Sequence, residues 1–188
     1  MTEQSFTGKL LVATPVLEDP NFHRTVVLLV AHHPDEGALG VVLNRPSELD
    51  VSRALPEWGP LAAAPTAVFA GGPVTPEGVL CLGRAAGERT VGIDGWEAVA
   101  KGIGVVDLNT GPETFAAALD GLRIFAGHSG WGAGQLEAEL ETGGWFVVDM
   151  EPSDALTSEP AELWRTVLER QPPKVAMFAK APPHLSLN

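Results

Sequence analysis

Cysteine is nearly absent from this chain. Cys81 is the only one among 188 residues, so an internal disulfide is impossible and a cysteine-based zinc site is excluded. It lies within the apolar run Val79-Leu80-Cys81-Leu82, which reads as an inert buried thiol. Long hydrophobic runs are missing too. None approaches the 18 residues of a membrane span, so no membrane partner is expected. The opening MTEQSFTGK has no basic stretch, apolar stretch or cleavage site, so a secretory leader is not expected and the chain reads as cytoplasmic. Basic clusters are lacking as well. The formal charge is −12, and Arg24, Arg45, Arg53, Arg84, Arg89 and Arg123 are scattered singly. Without a basic footprint, direct nucleic-acid binding is not expected.

What is present is a substantial core. Apolar residues make up 45% of the chain, and the length suits one domain over residues 1–188. Gly8–Thr14 reads as a buried strand. Thr25–Ala31 and Ala38–Leu43 are apolar runs joined by the turn His33-Pro34-Asp35-Glu36-Gly37, which predicts neighbouring antiparallel strands near the middle of a sheet. Asn44-Arg45-Pro46 ends the second run, and Ser47 is placed to cap a short helix carrying Leu49, Val51 and Leu55. Pro56–Pro65 reads as a surface excursion, with Trp58 packing back. Thr66–Ala70 and Gly78–Leu82 read as strands either side of the turn Gly71-Gly72-Pro73-Val74. Val91–Ile93 and Ile103–Leu108 read as strands flanking a helix near Trp96–Lys101. Pro112–Leu119 and Glu159–Gln171 read as helices, and Lys174–Lys180 as an edge strand. Strands outnumber helices and short connections mix with helical ones. The fold class is therefore α+β: a bent, mixed but largely antiparallel sheet flanked by helices.

The densest signal lies between Phe125 and Val148. A strand pattern through Leu122, Ile124 and Phe125 enters a turn holding Gly127, Gly130, Gly132 and Gly134. A short helix, Gln135–Glu141, follows, and Gly143-Gly144 ends it before a strand at Trp145–Val148. Two readings stay open. Either the turn is a packing corner with Trp131 as a core plug, or it is a pocket floor whose N–H groups at Gly132 to Gln135 face an anion or a carbonyl. In the second reading the ligand-binding candidates are Gly130, Trp131, Gly132, Gly134, Gln135 and Glu137, with Asn44 and Arg45 at the end of the earlier strand.

Catalytic and metal patterns are weaker. Gly127-His128-Ser129-Gly130-Trp131 imitates a nucleophile elbow but puts tryptophan where glycine is needed. The base would have to come from His23, His32, His33 or His184. His32-His33 are neighbours on a strand end and point apart, so they are not expected to share a metal. No catalytic residue, metal or cofactor is assigned. In the helix, Leu136 and Leu140 form the buried face, Gln135 and Glu139 share one flank, and Glu137 and Glu141 share another.

Several segments, in order, resemble one family. They are Gly8-Lys9-Leu10-Leu11-Val12-Ala13-Thr14-Pro15, Asp19-Pro20-Asn21-Phe22, Arg24-Thr25-Val26-Val27, Gly37 through Pro46, Gly71-Gly72-Pro73-Val74, and Gly130-Trp131-Gly132-Ala133-Gly134-Gln135-Leu136-Glu137, with Glu139 and Trp145. Together they are similar to the AlgH/YqgE family of bacterial proteins. Ser129 departs from the small residue, often alanine, usual there, and Cys81 from a histidine common in other members. The resemblance implies a cytosolic α+β protein and little chemistry, since the family has no settled biochemical activity. One member's name is tied to transcriptional regulation of alginate production. The expected function is non-enzymatic binding or regulation, with an unknown small ligand or protein as partner. The alternative is an enzyme acting on a small polar or anionic substrate at the Gly127–Glu137 turn.

Overall fold

Fifteen regular elements, apart from short 3-10 turns, order residues 4–183, the part of the chain that this computed structural model describes. The strands are β1 (Lys9–Ala13), β2 (Val26–His33), β3 (Gly37–Val42), β4 (Pro46–Asp50), β5 (Ala67–Ala70), β6 (Val74–Ala85), β7 (Trp96–Ala100), β8 (Ile103–Val106), β9 (Leu119–Trp131) and β10 (Trp145–Asp149). The helices are α1 (Val51–Ala54), α2 (Pro112–Phe115), α3 (Gln135–Glu141), α4 (Leu163–Glu169) and α5 (Pro173–Ala176).

The strands form one sheet in the order β10-β1-β2-β3-β9-β6-β8-β7, with β4 on β5 and β5 joined to β9. All pairings are antiparallel except β5–β9, which is parallel. The sheet curls back on itself. Gly8, at the start of β1, lies so close to Ala100 of β7 that any side chain there would collide with it. The apolar runs of β1 and β2 are buried on both faces, and period-2 alternation sorts them. Leu10, Val12, Val26 and Leu28 face the interior beneath α4, while Leu11, Ala13, Val27 and Leu29 face Trp131, Trp145 and Leu136. A third cluster, under α1 and α2, joins Val51, Trp58, Phe115, Leu122 and Ile124. From α4 come Leu163, Trp164, Val167 and Leu168, all buried. Each stabilises by about 1.5–3 kcal/mol before entropy is counted.

The β2–β3 hairpin stands where its short turn implies, and α3 spans the residues its pattern gave. Five expectations are corrected. Where a helix was expected near Trp96–Lys101, Trp96–Ala100 is an edge strand that pairs with β8. Val91–Ile93 is not strand: Val91 and Gly92 are turn and Ile93 is irregular. The segment from Ser47 to Asp50 is strand, and Asp50, not Ser47, caps α1 by accepting the Ser52 amide. The helix expected to run from Pro112 to Leu119 is a single turn. Lys174–Lys180 is helical, because the proline at the first position of α5 starts a turn. Phe178 then packs on Phe146.

One buried charge was not foreseen. Arg123 on β9 is 1% exposed, with no carboxylate in any ion pair with it among the described residues. Its guanidinium lies 4.2 Å from the centre of the Phe69 ring and donates to the carbonyls of Thr157, Ala64 and Ala63. Burial pushes its pKa down to about 10. The arginine therefore ties two loops to β9 by their carbonyl oxygens.

Candidate functional site

The glycine-rich segment is mostly strand. β9 continues to Trp131, so the turn is confined to Gly132–Gly134. The earlier glycines serve a different purpose. At Gly127 the chain crosses the Gly71-Gly72 segment so closely that a methyl group on Gly71 or Gly72 would come nearer than 3.0 Å to the carbonyl of Gly127 or His128. Ser129 is fully buried at this crossing, and its hydroxyl donates to the Gly71 carbonyl at 3.1 Å. That bond accounts for the serine as a fastener. His184, one of the bases considered for it, lies outside the described residues.

Trp131 closes β9 at 5% exposure. Its ring stacks on Phe22 at 6.0 Å and meets Trp145 edge-on at 6.0 Å. Both indole N–H groups donate to one oxygen of Glu139, at 2.9 Å and 2.8 Å. The other carboxylate oxygen accepts from Gln135 Nε2 at 3.1 Å, as their shared helix flank allows. Gln135 reaches back with Oε1 to accept the Gly132 amide at 3.0 Å, and its own amide donates to the Gly132 carbonyl. Two of the N–H groups proposed for an anion therefore have internal partners. Gly134 takes a left-handed φ of 72° at the start of α3. Gly130 and Gly132 do not have positive φ.

Glu137 sits on the other flank and meets His32. The imidazole is buried, with 1% of its side chain exposed against 36% for Glu137. His32 Nδ1 accepts the Phe6 amide at 3.0 Å, which leaves the proton on Nε2, 2.8 Å from Glu137 Oε1. The hydrogen bonds of this pair thus fix the N-terminal segment and α3 on the tip of β2. His33 points to the other side, as alternation requires. No group of three or more His, Cys, Asp or Glu side chains suited to a metal occurs among the described residues.

Asn44 and Arg45 serve a loop. Asn44 Oδ1 accepts the Val26 amide, and its Nδ2 donates to the Arg24 carbonyl. Arg45 donates to the carbonyls of Asn21, Pro20 and His23. Burial lowers its pKa, with Asp19 opposing. The loop so held carries Phe22 onto Trp131, and through that contact the two groups of candidates meet. Cys81 is buried, and desolvation raises its pKa, so its thiolate is disfavoured.

An open concavity adjoins the corner. Between the β2–β3 hairpin and β7 lies a groove of about 450 Å³, whose walls include His32, His33, Glu36, Leu39, Glu97 and Trp131. No lysine or arginine lines it. Sequence reasoning missed this groove because it took β7 for a helix. It also left Glu139 out of the ligand candidates, although its place on the Gln135 flank was legible.

A family model described as AlgH-like, a domain of unknown function, matches residues 10–176. A UPF0301 protein of Streptomyces coelicolor is 52% identical over 193 aligned positions, covering 100% of this chain and 98% of that protein. A UPF0301 protein of Thermobifida fusca is 46% identical over the same shares of each chain. Among solved structures, a crystal structure of a Corynebacterium diphtheriae protein superposes with a TM-score of 0.88 at 34% identity, covering 95% of this chain and 93% of that one. The solution structure of the AlgH protein from Pseudomonas aeruginosa gives 0.70 at 26% identity, covering 98% of each. By the match over residues 10–176 and the full-length relatives, the chain belongs to the AlgH-like family.

Proposed function

We propose that this protein is a non-enzymatic binding or regulatory protein of the cytosol, and that it meets its partner at the groove beside Trp131. One observation carries the reading. The polar side chains at the glycine turn, Trp131, Gln135, Glu137 and Glu139, are already joined to one another, to the turn or to His32. A catalytic turn needs a base or nucleophile within reach of a substrate. Ser129 is buried at the chain crossing, which counts against the enzyme reading. The groove is concave and borders this fixed corner, which suits a binding surface on a rigid support. A regulatory role would act through contacts with other proteins. The charge of −12 and the scattering of basic residues along the sequence oppose direct promoter binding.

The test is incubation of the purified protein with a bacterial metabolite extract, followed over time by mass spectrometry. The expected outcome is no time-dependent consumption of any metabolite. Depletion that disappears in a Gln135→Ala variant would make the turn an active site and overturn the reading.

A further inference from the structure

We propose that the free edge of β7 takes an extended, basic segment of another protein as an added antiparallel or parallel strand. The proposal rests on the groove being the binding surface and names the chemistry of its partner. β7 stands last in the sheet order, and it pairs only with β8. The bond from the Asp107 amide to the Gly95 carbonyl, 2.8 Å, fixes the alternation along the hairpin. Gly95 and Asp107 are a hydrogen-bonded pair, so Glu97 and Val105 are the next such pair, and Ala98 turns its N–H and C=O away from β8. Ala98 and Glu97 are exposed and line the groove. Among the described residues no strand pairs with the side of β7 that Ala98 turns outward.

Sheet edges left open in this way are normally blunted by lysine, proline, a bulge or a covering element. The sequence of β7, Trp96-Glu97-Ala98-Val99-Ala100, has neither lysine nor proline, and both its register shift and its close contact with Gly8 lie beyond Ala98, at Val99 and Ala100. The charge decides the occupant. Glu36 and Glu97 line the groove without any cation, and the partly exposed carboxylate of Glu137 lies behind His32. The cations at its margins are engaged elsewhere. Lys101 donates to the Met150 carbonyl and Lys9 pairs with Asp149. A second copy of this chain would set Glu97 near Glu97, which like charge disfavours. A strand that alternates lysine or arginine with apolar residues meets both surfaces. Its basic side chains face Glu36 and Glu97, and its apolar ones face Leu39 and the edge of Trp131.

Titration calorimetry with the full chain tests this, using a blocked peptide that alternates lysine and valine. Two control peptides carry glutamate for lysine, or N-methylated amides at alternate positions. The lysine peptide is expected to bind, and to weaken about tenfold with both Glu36→Lys and Glu97→Lys in place. N-methylation is expected to abolish binding, because it removes the backbone donors of the added strand. The Ala98→Pro variant, shown folded by circular dichroism, should fail likewise. If it does not fold, the N-methylated peptide supplies the same answer. Absence of binding at about millimolar peptide, equal binding of the glutamate peptide, or indifference to N-methylation would each overturn the proposal. So would a dimer in sedimentation that Ala98→Pro dissolves, since the occupant would then be a second copy. Failure of the peptide with no metabolite consumed sinks only this inference, whereas metabolite turnover sinks the underlying reading.

Discussion

Two sets of glycines on this molecule exist for opposite reasons. At the crossing of residues 71–72 with 127–129, glycine is required because backbone touches backbone, and a methyl group there would be nearer than 3.0 Å to carbonyl atoms that cannot swing away. At the turn 132–134, a methyl group on Gly134 would meet nothing within 4 Å, and one on Gly132 only the end of the Gln135 side chain at 4.0 Å. The first set is imposed by contact between distant parts of the chain. The second is open space beside a helix start, where only the φ of Gly134 constrains the choice. A dense glycine motif is thus not one signal, and the part most like a ligand loop is the part least sterically obliged to be glycine.

Substitutions sharpen that contrast. Gly72→Ala should have the largest effect. It combines a backbone clash with a φ of 149° that alanine rarely adopts, for about 5 kcal/mol in all. That is comparable with the stability of a whole domain, so little soluble folded protein is expected on expression. Trp131→Ala should follow, at about 4 kcal/mol, measured by denaturant unfolding. It removes a buried indole and leaves the Glu139 carboxylate with one tryptophan donor. A melting temperature within a degree or two of wild type would mean that Trp131 is a pocket wall rather than a plug. Gly134→Ala should cost about 1 kcal/mol, the penalty for a left-handed alanine with free space around it. Gly132→Ala should change stability by less than about 0.5 kcal/mol. A loss at Gly132 as large as that at Gly72 would erase the distinction between the two sets.

Local pattern told much of this fold. The β-branched run of Thr25–Ala31 and its short turn to Ala38 specify a hairpin without outside help, and Leu136 and Leu140 fix α3 by spacing alone. Where the reading failed, distant contacts had overridden local preference. Trp96-Glu97-Ala98-Val99-Ala100-Lys101 contains good helix formers, yet Gly104 across the hairpin leaves the space in which the Trp96 ring lies, and Gly95 and Gly102 bracket the strand with left-handed turns. Gly127 and Gly130 looked like the start of a turn because the crossing with Gly71-Gly72 cannot be seen from either segment alone. The candidate site was legible in part. Its residues do gather around Trp131, but their bonds to Glu139 and to His32, the latter 105 positions from Glu137, follow only from the folded chain. The groove was hidden by the misreading of β7.

The thirteen-residue strand β9 is the seam of the sheet, since β3, β5 and β6 all pair with it. That has a consequence for the chain as it is made. β3 ends at residue 42 and β9 at residue 131, so the edge of β3 waits 89 residues for its partner. At about 5–20 residues per second the wait is roughly 4–18 s. A hairpin such as β2–β3 forms in about 1–10 μs. For seconds of every synthesis, then, the apolar strands β1 to β3 are made while the side of β3 that takes β9 is unfilled. Changes in β2 and β3 will therefore be felt first in the yield of soluble chains leaving the ribosome, before they are felt in the melting of the completed fold.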